Sequence, residues 1–182
     1  MGNVKTLSEI SINNGTYGIN ASAKEKSSNH EINYLRITDI DDDGNIDASK
    51  MKTLVAENYE KYVLKDFDIV FARTGNSVGK NYYYNSKDGK LVYAGFLIKF
   101  SLDDNKVYPK YIKYYCQTQK CKGWIENMAS DGSTRPNINA KQLGSMKIEL
   151  PDYSHQKAIA DKLSVIDDKI RINRQINANL AA

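Results

Sequence analysis

A chain of 182 residues with 41% hydrophobic side chains can bury one ordinary core and carry an appendage, but it is crowded for two domains. Its net charge of +4 is only mildly basic, and its most apolar stretch, LVYAGFLIKF, is interrupted by Lys99 and too short to cross a bilayer. The opening MGNVKTLSEI lacks the apolar centre of a secretory signal, so the cytoplasm is the expected location and no membrane partner is expected.

Charge is unevenly distributed. Residues 31–70 carry five Lys/Arg against ten Asp/Glu, whereas residues 71–122 carry ten against three. The basic middle third is either a surface for a polyanion, where neutralised phosphates release counterions, or a solvated basic face. Thirteen tyrosines, among them Tyr82, Tyr83 and Tyr84 beside Lys80, suit nucleic acid, because rings stack on bases and hydroxyls bond phosphates. Cys116 and Cys121 lie five apart in a helical pattern, which is neither a CxxC pair nor a zinc spacing, so both are expected to be reduced packing residues. Neither His30 nor His155 has a metal-ligand pattern around it.

In chain order, Val4, Leu7, Ile10 and Ile12 form a short apolar stretch that ends in a turn at Asn14-Gly15. Residues 20–31 are polar and breaker-rich and read as an exposed loop. NYLRITDI then reads as a strand, with Leu35 and Ile37 on one face and Tyr34, Arg36 and Thr38 on the other. Residues 39–50 match most of a calcium-binding EF-hand loop, at Asp39, Asp41, Asp43, Gly44 and Ile46. The twelfth position is Lys50 instead of a bidentate Glu, and the preceding segment is strand-like, so an acidic turn between strands is preferred.

Residues 54–62 suggest a short helix or turn, and FDIVFART a buried strand from which Arg73 emerges. GNSVGK falls short of a nucleotide-gripping P-loop: three residues separate its glycines where four are required, and Asn81 stands where a magnesium-holding hydroxyl belongs. It remains a Gly-flanked loop able to bring backbone amides close to phosphates. YYYN and KLVYAGFLIKFSL surround residues 86–89 as a hairpin. Pro109 starts a helical region that runs through Ile112, Tyr115, Cys116, Gln119, Trp124, Ile125 and Met128, with a break expected near Gly123.

A polar loop from residue 132 feeds a strand at Met146, Ile148 and Leu150. Pro151 stops it, and a helix of roughly 25 residues, about 37 Å long, follows. Its seam is Ile159, Leu163, Ile166, Ile170, Asn173, Asn177 and Leu180, a heptad pattern with amides at two positions. Such a stripe either packs on its own domain or pairs with another helix, and seam Asn residues favour pairing, hence a dimer. The expected fold class is α+β: a mixed, hairpin-rich β-sheet domain with packed helices, residues 1–151, followed by a long C-terminal coiled-coil helix, residues 152–182.

YLRITDI with Gly44 and Ile46-Asp47, DIVFARTGNSVGK, STRPNIN, IELP and the helical run Gln156, Ile159, Leu163, Ile166-Asp167, Ile170 and Asn173 together resemble specificity subunits of type I restriction-modification systems. They are similar to one target recognition domain with its following spacer helix. His155 departs from the pattern, standing where a Glu is usual. This weakens the helix start against the dipole, although Asp152 or Ser154 can still cap it. Length departs too, since the family's full subunit usually holds two such domains and two long helices. The chain looks like a half-subunit, natural or truncated, that rebuilds the whole by homodimerising, and its run to Leu180-Ala181-Ala182 without a Gly cap leaves the helix open to continuation.

The resemblance implies that the domain reads one half of a split double-stranded DNA target and that the helices fix the gap between halves. Methyltransferase subunits would clasp the helices and bring S-adenosylmethionine, and a restriction subunit would add ATP-driven cleavage. No cofactor is expected on this chain, and no catalytic role: it lacks a glycine-rich cofactor loop, an Asn-Pro-Pro or Asp-Pro-Pro motif, and a Glu-x-Lys nuclease motif. The expected DNA-facing rim is Tyr17, Arg73, Thr74, Ser77, Lys80, Ser133, Thr134, Arg135 and Asn137, with Arg and Asn suited to base edges and Lys and hydroxyls to phosphates. Arg135 has an alternative role tying its loop to the domain, and Arg73 one pairing with the acidic first part. The rival functions are a stand-alone DNA-binding regulator, a helix-pairing adaptor, and a nuclease or methyltransferase fragment.

Overall fold

The computed structural model describes residues 3–28, 31–129 and 135–180. At its centre is a four-stranded antiparallel sheet in the order β2 (Thr16–Tyr17), β9 (Leu97–Ser101), β6 (Asp68–Ala72), β7 (Asn81–Tyr83). Around it, β1 (Asn3–Thr6) pairs antiparallel with β10 (Lys147–Leu150), β3 (Ser22–Lys24) antiparallel with β5 (Thr53–Val55), and β4 (Asn33–Leu35) parallel with β8 (Leu91–Tyr93). The helices are α1 (Pro109–Tyr115), α2 (Gln119–Ala129), α3 (Ala140–Gly144) and α4 (Tyr153–Leu180).

All five residues of β6 are buried, and the two-residue period of a strand divides them between cores. Ile69 and Phe71 face the helices, against Ile112, Cys116, Cys121, Ile125 and Leu143. Val70 and Ala72 face the opposite side, against Leu35, Leu91, Tyr93 and Leu97. Asp68 is buried at the start of β6, and its carboxylate accepts from Ser101 Oγ at 2.5 Å and Lys65 N at 2.9 Å and lies 3.2 Å from Lys99 Nζ. A buried charge persists where it is paired and hydrogen-bonded in this way. Both cysteines are free and lie in the larger core; the adjacent Cys121 and complete burial push the Cys116 thiol well above its ordinary range.

Several local expectations give way to tertiary pairing. The hairpin expected across residues 86–89 does not form. Instead β7 pairs with β6 across the GNSVGK turn, and β8 runs beside β4. Residues 86–88 make a short 3-10 turn capped by Asn85, whose Oδ1 accepts from Lys87 N, and this turn redirects the chain rather than reversing it. The 54–62 segment is the end of strand β5 followed by a 3-10 turn at Glu60–Tyr62, and the expected loop at 20–31 contains β3.

Strand β4 stops at Leu35 because Asp39 turns back, accepting from Arg36 N at 2.8 Å and its guanidinium at 3.0 and 2.7 Å. Tyr34 is buried like Leu35, the two facing different cores. The helical break falls at residues 116–118 instead of Gly123, since Thr118 Oγ1 accepts from Cys121 N and caps α2. Within the expected polar loop, α3 is nucleated by a reciprocal cap between Asn139 and Gln142. Residues 39–50 form a β-bridged turn, Ile40 opposite Ile46, with the Asp41 carboxylate taken up by Asp43 N and Asn45 N.

Candidate nucleic-acid interface

At the end of β6 the chain enters the Arg73–Gly75 segment, and this segment pairs with Pro136–Ile138, more than sixty residues further on. Ile138 N donates to Arg73 O at 2.9 Å, Gly75 N to Pro136 O at 2.9 Å, and Thr74 and Asn137 form an antiparallel bridge. Asn137 N donates to Ala129 O, anchoring the same loop to the end of α2. FARTG and RPNIN, separate in sequence, are therefore one surface.

Tyr17 joins them from the edge strand β2. Its ring lies under the Arg73 guanidinium, 4.9 Å from carbon to centroid, and its hydroxyl accepts from Ala140 N at 3.1 Å. Close backbone approach makes this possible: a Cβ on Gly18 would lie 2.3 Å from the carbonyl oxygens of Tyr93 and Ala94. Arg73 is half-buried, and its Nε, fully buried, has no hydrogen-bond partner among the described residues. A guanidinium stacked on a ring and fixed in direction is pre-organised for planar, bidentate recognition. Asn137, bridged to Thr74, is exposed, as is Arg135 in the same loop.

The remaining expected rim residues distribute differently. Ser133 and Thr134 lie outside the described residues. The 75–77 turn is closed by Val78 N donating to Gly75 O, and the Ser77 carbonyl accepts from Lys80 N in the turn that follows. Lys80 turns its ammonium to Asp42 at 2.8 Å, and no described contact joins it to Tyr17 or Arg73. Its charge holds the Asp42 carboxyl below the usual carboxylate range, while Lys122 Nζ donates to the Asp42 carbonyl at 2.8 Å. The acidic turn thus pairs with Lys80, not with Arg73.

Nor is the basic middle third a uniform cationic face, since Lys99, Lys106, Lys113 and Lys120 each stand within 3.2 Å of a carboxylate. The tyrosine run is likewise no stacking platform: Tyr82 is buried, donates to Asp88 at 2.7 Å, and burial raises its pKa. Two clefts missed by motif reading flank the Tyr17–Arg73 pair. One, of about 640 Å³, takes in Asn14, Tyr17, Asn139 and Lys141; the other, of about 560 Å³, takes in Asn20, Arg36, Thr38 and Phe96. The capping box at Asn139 was the one sequence signal that could have located the first.

Helix α4 leaves the domain from a cap at Asp152, whose carboxylate accepts from His155 N at 3.0 Å and Ser154 Oγ at 2.7 Å and lies 2.6 Å from His155 Nδ1. His155 thus folds back onto the cap. The helix meets α1 along a stripe centred on buried Gln156 and Ala160. Gln156 Oε1 accepts from Tyr108 N, its Nε2 donates to Pro151 O, and further along Asp167 accepts from Lys113 at 2.5 Å and Tyr114 at 2.9 Å. The heptad seam lies off this stripe: Ile159, Ile166, Ile170, Asn173, Asn177 and Leu180 are exposed and Leu163 is half-buried.

A family model described as the type I restriction modification DNA specificity domain matches residues 3–182. The chain belongs to this family. It is 32% identical over 140 residues to the putative type I restriction enzyme MjaX specificity subunit of Methanocaldococcus jannaschii, covering 74% of this chain and 33% of that protein. It is 25% identical over 149 residues to the StySPI specificity subunit of Salmonella potsdam, covering 79% and 32%.

Among solved structures, the HsdS subunit of Thermoanaerobacter tengcongensis aligns with a TM-score of 0.61 at 17% identity, over 97% of this chain and 44% of that one. A chain from a study of complex assembly and conformational transition in a type I R-M system aligns with a TM-score of 0.65 at 16% identity, over 98% and 45%. At these identities the likeness is one of fold: a mixed α+β architecture of sheets with packed helices. The chain spans about a third of the length of the curated relatives it matches. No helix among the described residues is long and apolar enough to cross a membrane.

Proposed function

We propose that this chain supplies DNA sequence specificity to a type I restriction-modification complex, with residues 1–151 reading one half of a bipartite duplex target. Family membership over residues 3–182 supports the reading. The observation that carries it is the Arg73 guanidinium stacked on Tyr17, with Thr74 and Asn137 bridged alongside. Arg73 and Asn137 would read base edges, while Thr74, Ser77 and the Arg135 loop, including Ser133 and Thr134, hold phosphates and set register. Lys80 would contribute only after leaving Asp42.

Residues 152–182 act as spacer and dimerisation helix. The exposed seam from Ile159 to Leu180 pairs with a second copy as a coiled coil, and methyltransferase subunits grip the paired helices. Adenine methylation and, through a restriction subunit, cleavage belong to those partners, so the chain itself is not an enzyme. The complex works in the cytoplasm, where chromosomal DNA lies.

The test is co-expression with a type I methyltransferase subunit and sequencing of methylated positions. A two-fold dimer predicts methylation at an interrupted palindrome. Arg73→Ala should abolish that motif or relax it at one position per half-site, a loss of about 1–3 kcal/mol of discrimination. Absence of any chain-dependent methylation, together with no duplex binding by the purified chain, would refute the proposal. Duplex binding without a methyltransferase partner would favour a stand-alone regulator.

A further inference from the structure

Phe96 is the most exposed aromatic ring among the described residues, at 59%. It occupies a place where the fold has no use for an apolar side chain, the third position of a tight turn between β8 and β9. The turn is closed by Leu97 N donating to Ala94 O at 2.9 Å. Its backbone is held on two further sides: Gly95 N donates to Ile19 O at 2.9 Å, and Phe96 O accepts from Arg73 N at 3.0 Å. A Cβ on Gly95 would stand 2.1 Å from Asn20 Oδ1, so the turn passes close against the Asn20 side chain. An exposed apolar ring thus stands on a hydrogen-bonded turn whose main chain is joined to that of Arg73, the residue stacked on Tyr17. On one flank it borders the cleft containing Asn20, Arg36 and Thr38.

A single exposed apolar residue is ordinary on a protein surface. This one is distinguished by its fixed backbone, by the cleft at its flank and by its direct hydrogen bond to Arg73. In proteins that bind the minor groove, cationic and amide side chains often stand beside an apolar wedge that enters between base pairs, partly unstacking and kinking the step. We propose that Phe96 is such a wedge, inserted at a base step of the half-site next to the base pair met by Arg73. The inference rests on the DNA-reading function proposed above. It explains why an apolar ring stands where a polar turn residue would serve the isolated domain better.

The experiment begins by selecting a duplex from a randomised pool on the wild-type chain, then measures its affinity for wild type, Phe96→Ala, Phe96→Trp and Arg73→Ala. The same duplex carrying 2-aminopurine at successive positions reports unstacking. Because Phe96 is exposed, Phe96→Ala should keep the wild-type circular dichroism and melting temperature. It should weaken binding by about tenfold, in the range expected for a lost stacking contact. Phe96→Trp should restore affinity, and 2-aminopurine fluorescence should rise at one step with wild type but not with Phe96→Ala. Unchanged affinity of Phe96→Ala for a duplex that wild type selects and Arg73→Ala loses would overturn the wedge while leaving the DNA-reading function intact. Weakened binding with no fluorescence rise at any position would also overturn it. Loss of methyltransferase capture with duplex affinity unchanged would assign Phe96 to a protein contact and do the same. Failure of wild type to select any duplex would remove both the wedge and the function on which it rests.

Discussion

Arg73 and Lys80 stand seven residues apart on either side of one turn, yet the structure sets them in opposite electrostatic situations. Arg73 has a ring beneath it and a buried, unpartnered Nε, whereas Lys80 is already engaged by Asp42. An engaged lysine meets a phosphate only by exchanging one anion for another, so its effect on DNA affinity is smaller than its charge suggests. Asp42→Asn should therefore tighten duplex binding and steepen the dependence of log affinity on log salt by up to about one, as a freed ammonium adds a phosphate contact. Lys80→Ala should flatten the slope by less than that. Titration of binding against potassium chloride measures both, and identical slopes in the two variants and wild type would exclude Lys80 from the interface.

For individual elements, α4 depends on two polar anchors and not on its apolar seam. Gln156 is 3% exposed and serves both Tyr108 N and Pro151 O, so Gln156→Leu leaves two partly buried backbone groups without this partner. A loss of about 1–3 kcal/mol in urea unfolding is expected. Asp152 caps the first turn, and hydrogen bonds from Ser154 and the His155 backbone, with the His155 ring, hold its carboxyl well below the usual carboxylate range. The folded state thus binds fewer protons at this site than the unfolded state. The cap's contribution is fully present above the ordinary carboxylate range and fades as pH falls below it. Amide exchange in the first turn of α4 should accelerate on acidification in wild type, and should already be fast and pH-insensitive in Asp152→Ala after correction for intrinsic rates. The small helix α3 is similarly secured by the Asn139–Gln142 cap, which sets Ala140 N against the Tyr17 hydroxyl.

At the scale of the whole molecule, the cores are enclosed on both faces of the sheet. Among the described residues the Ile159, Ile166, Ile170 and Leu180 line stands open along α4. Since the open line takes no part in the domain's own packing, Ile166→Asp with Ile170→Asp should leave the thermal unfolding of the domain nearly unchanged and convert dimer to monomer in sedimentation equilibrium. A wild-type chain that sediments as a monomer at all concentrations would exclude the pairing. Loss of the dimer should also abolish methylation at the two-part motif, because a single reading domain has no second half-site to meet.

Much of this architecture was legible in local chemistry. The two-residue period of DIVFA, Pro109 at the start of α1, Asp152 before α4 and the long amphipathic helix itself are written in spacings of a few residues, where backbone geometry alone restricts the outcome. What local pattern could not decide was partnership. β7 turned back on β6 while β8 crossed to lie parallel to β4, the tyrosine run went partly into the core, and four of the middle third's lysines, Lys80, Lys99, Lys113 and Lys120, were matched by carboxylates from other segments. Tyr17 meets Arg73, and Asn137 comes alongside Thr74, because the close approach at Gly18 and one bridge bring strand β2 and two loops together. Hydrogen-bond partners and buried charge depend on the packing of the entire chain, so the sequence by itself determined the family and the elements with strong local signals, such as β6, α1 and α4, whereas the tertiary structure decided β3, α3, the pairing of β7 and β8, and which side chains face outward together.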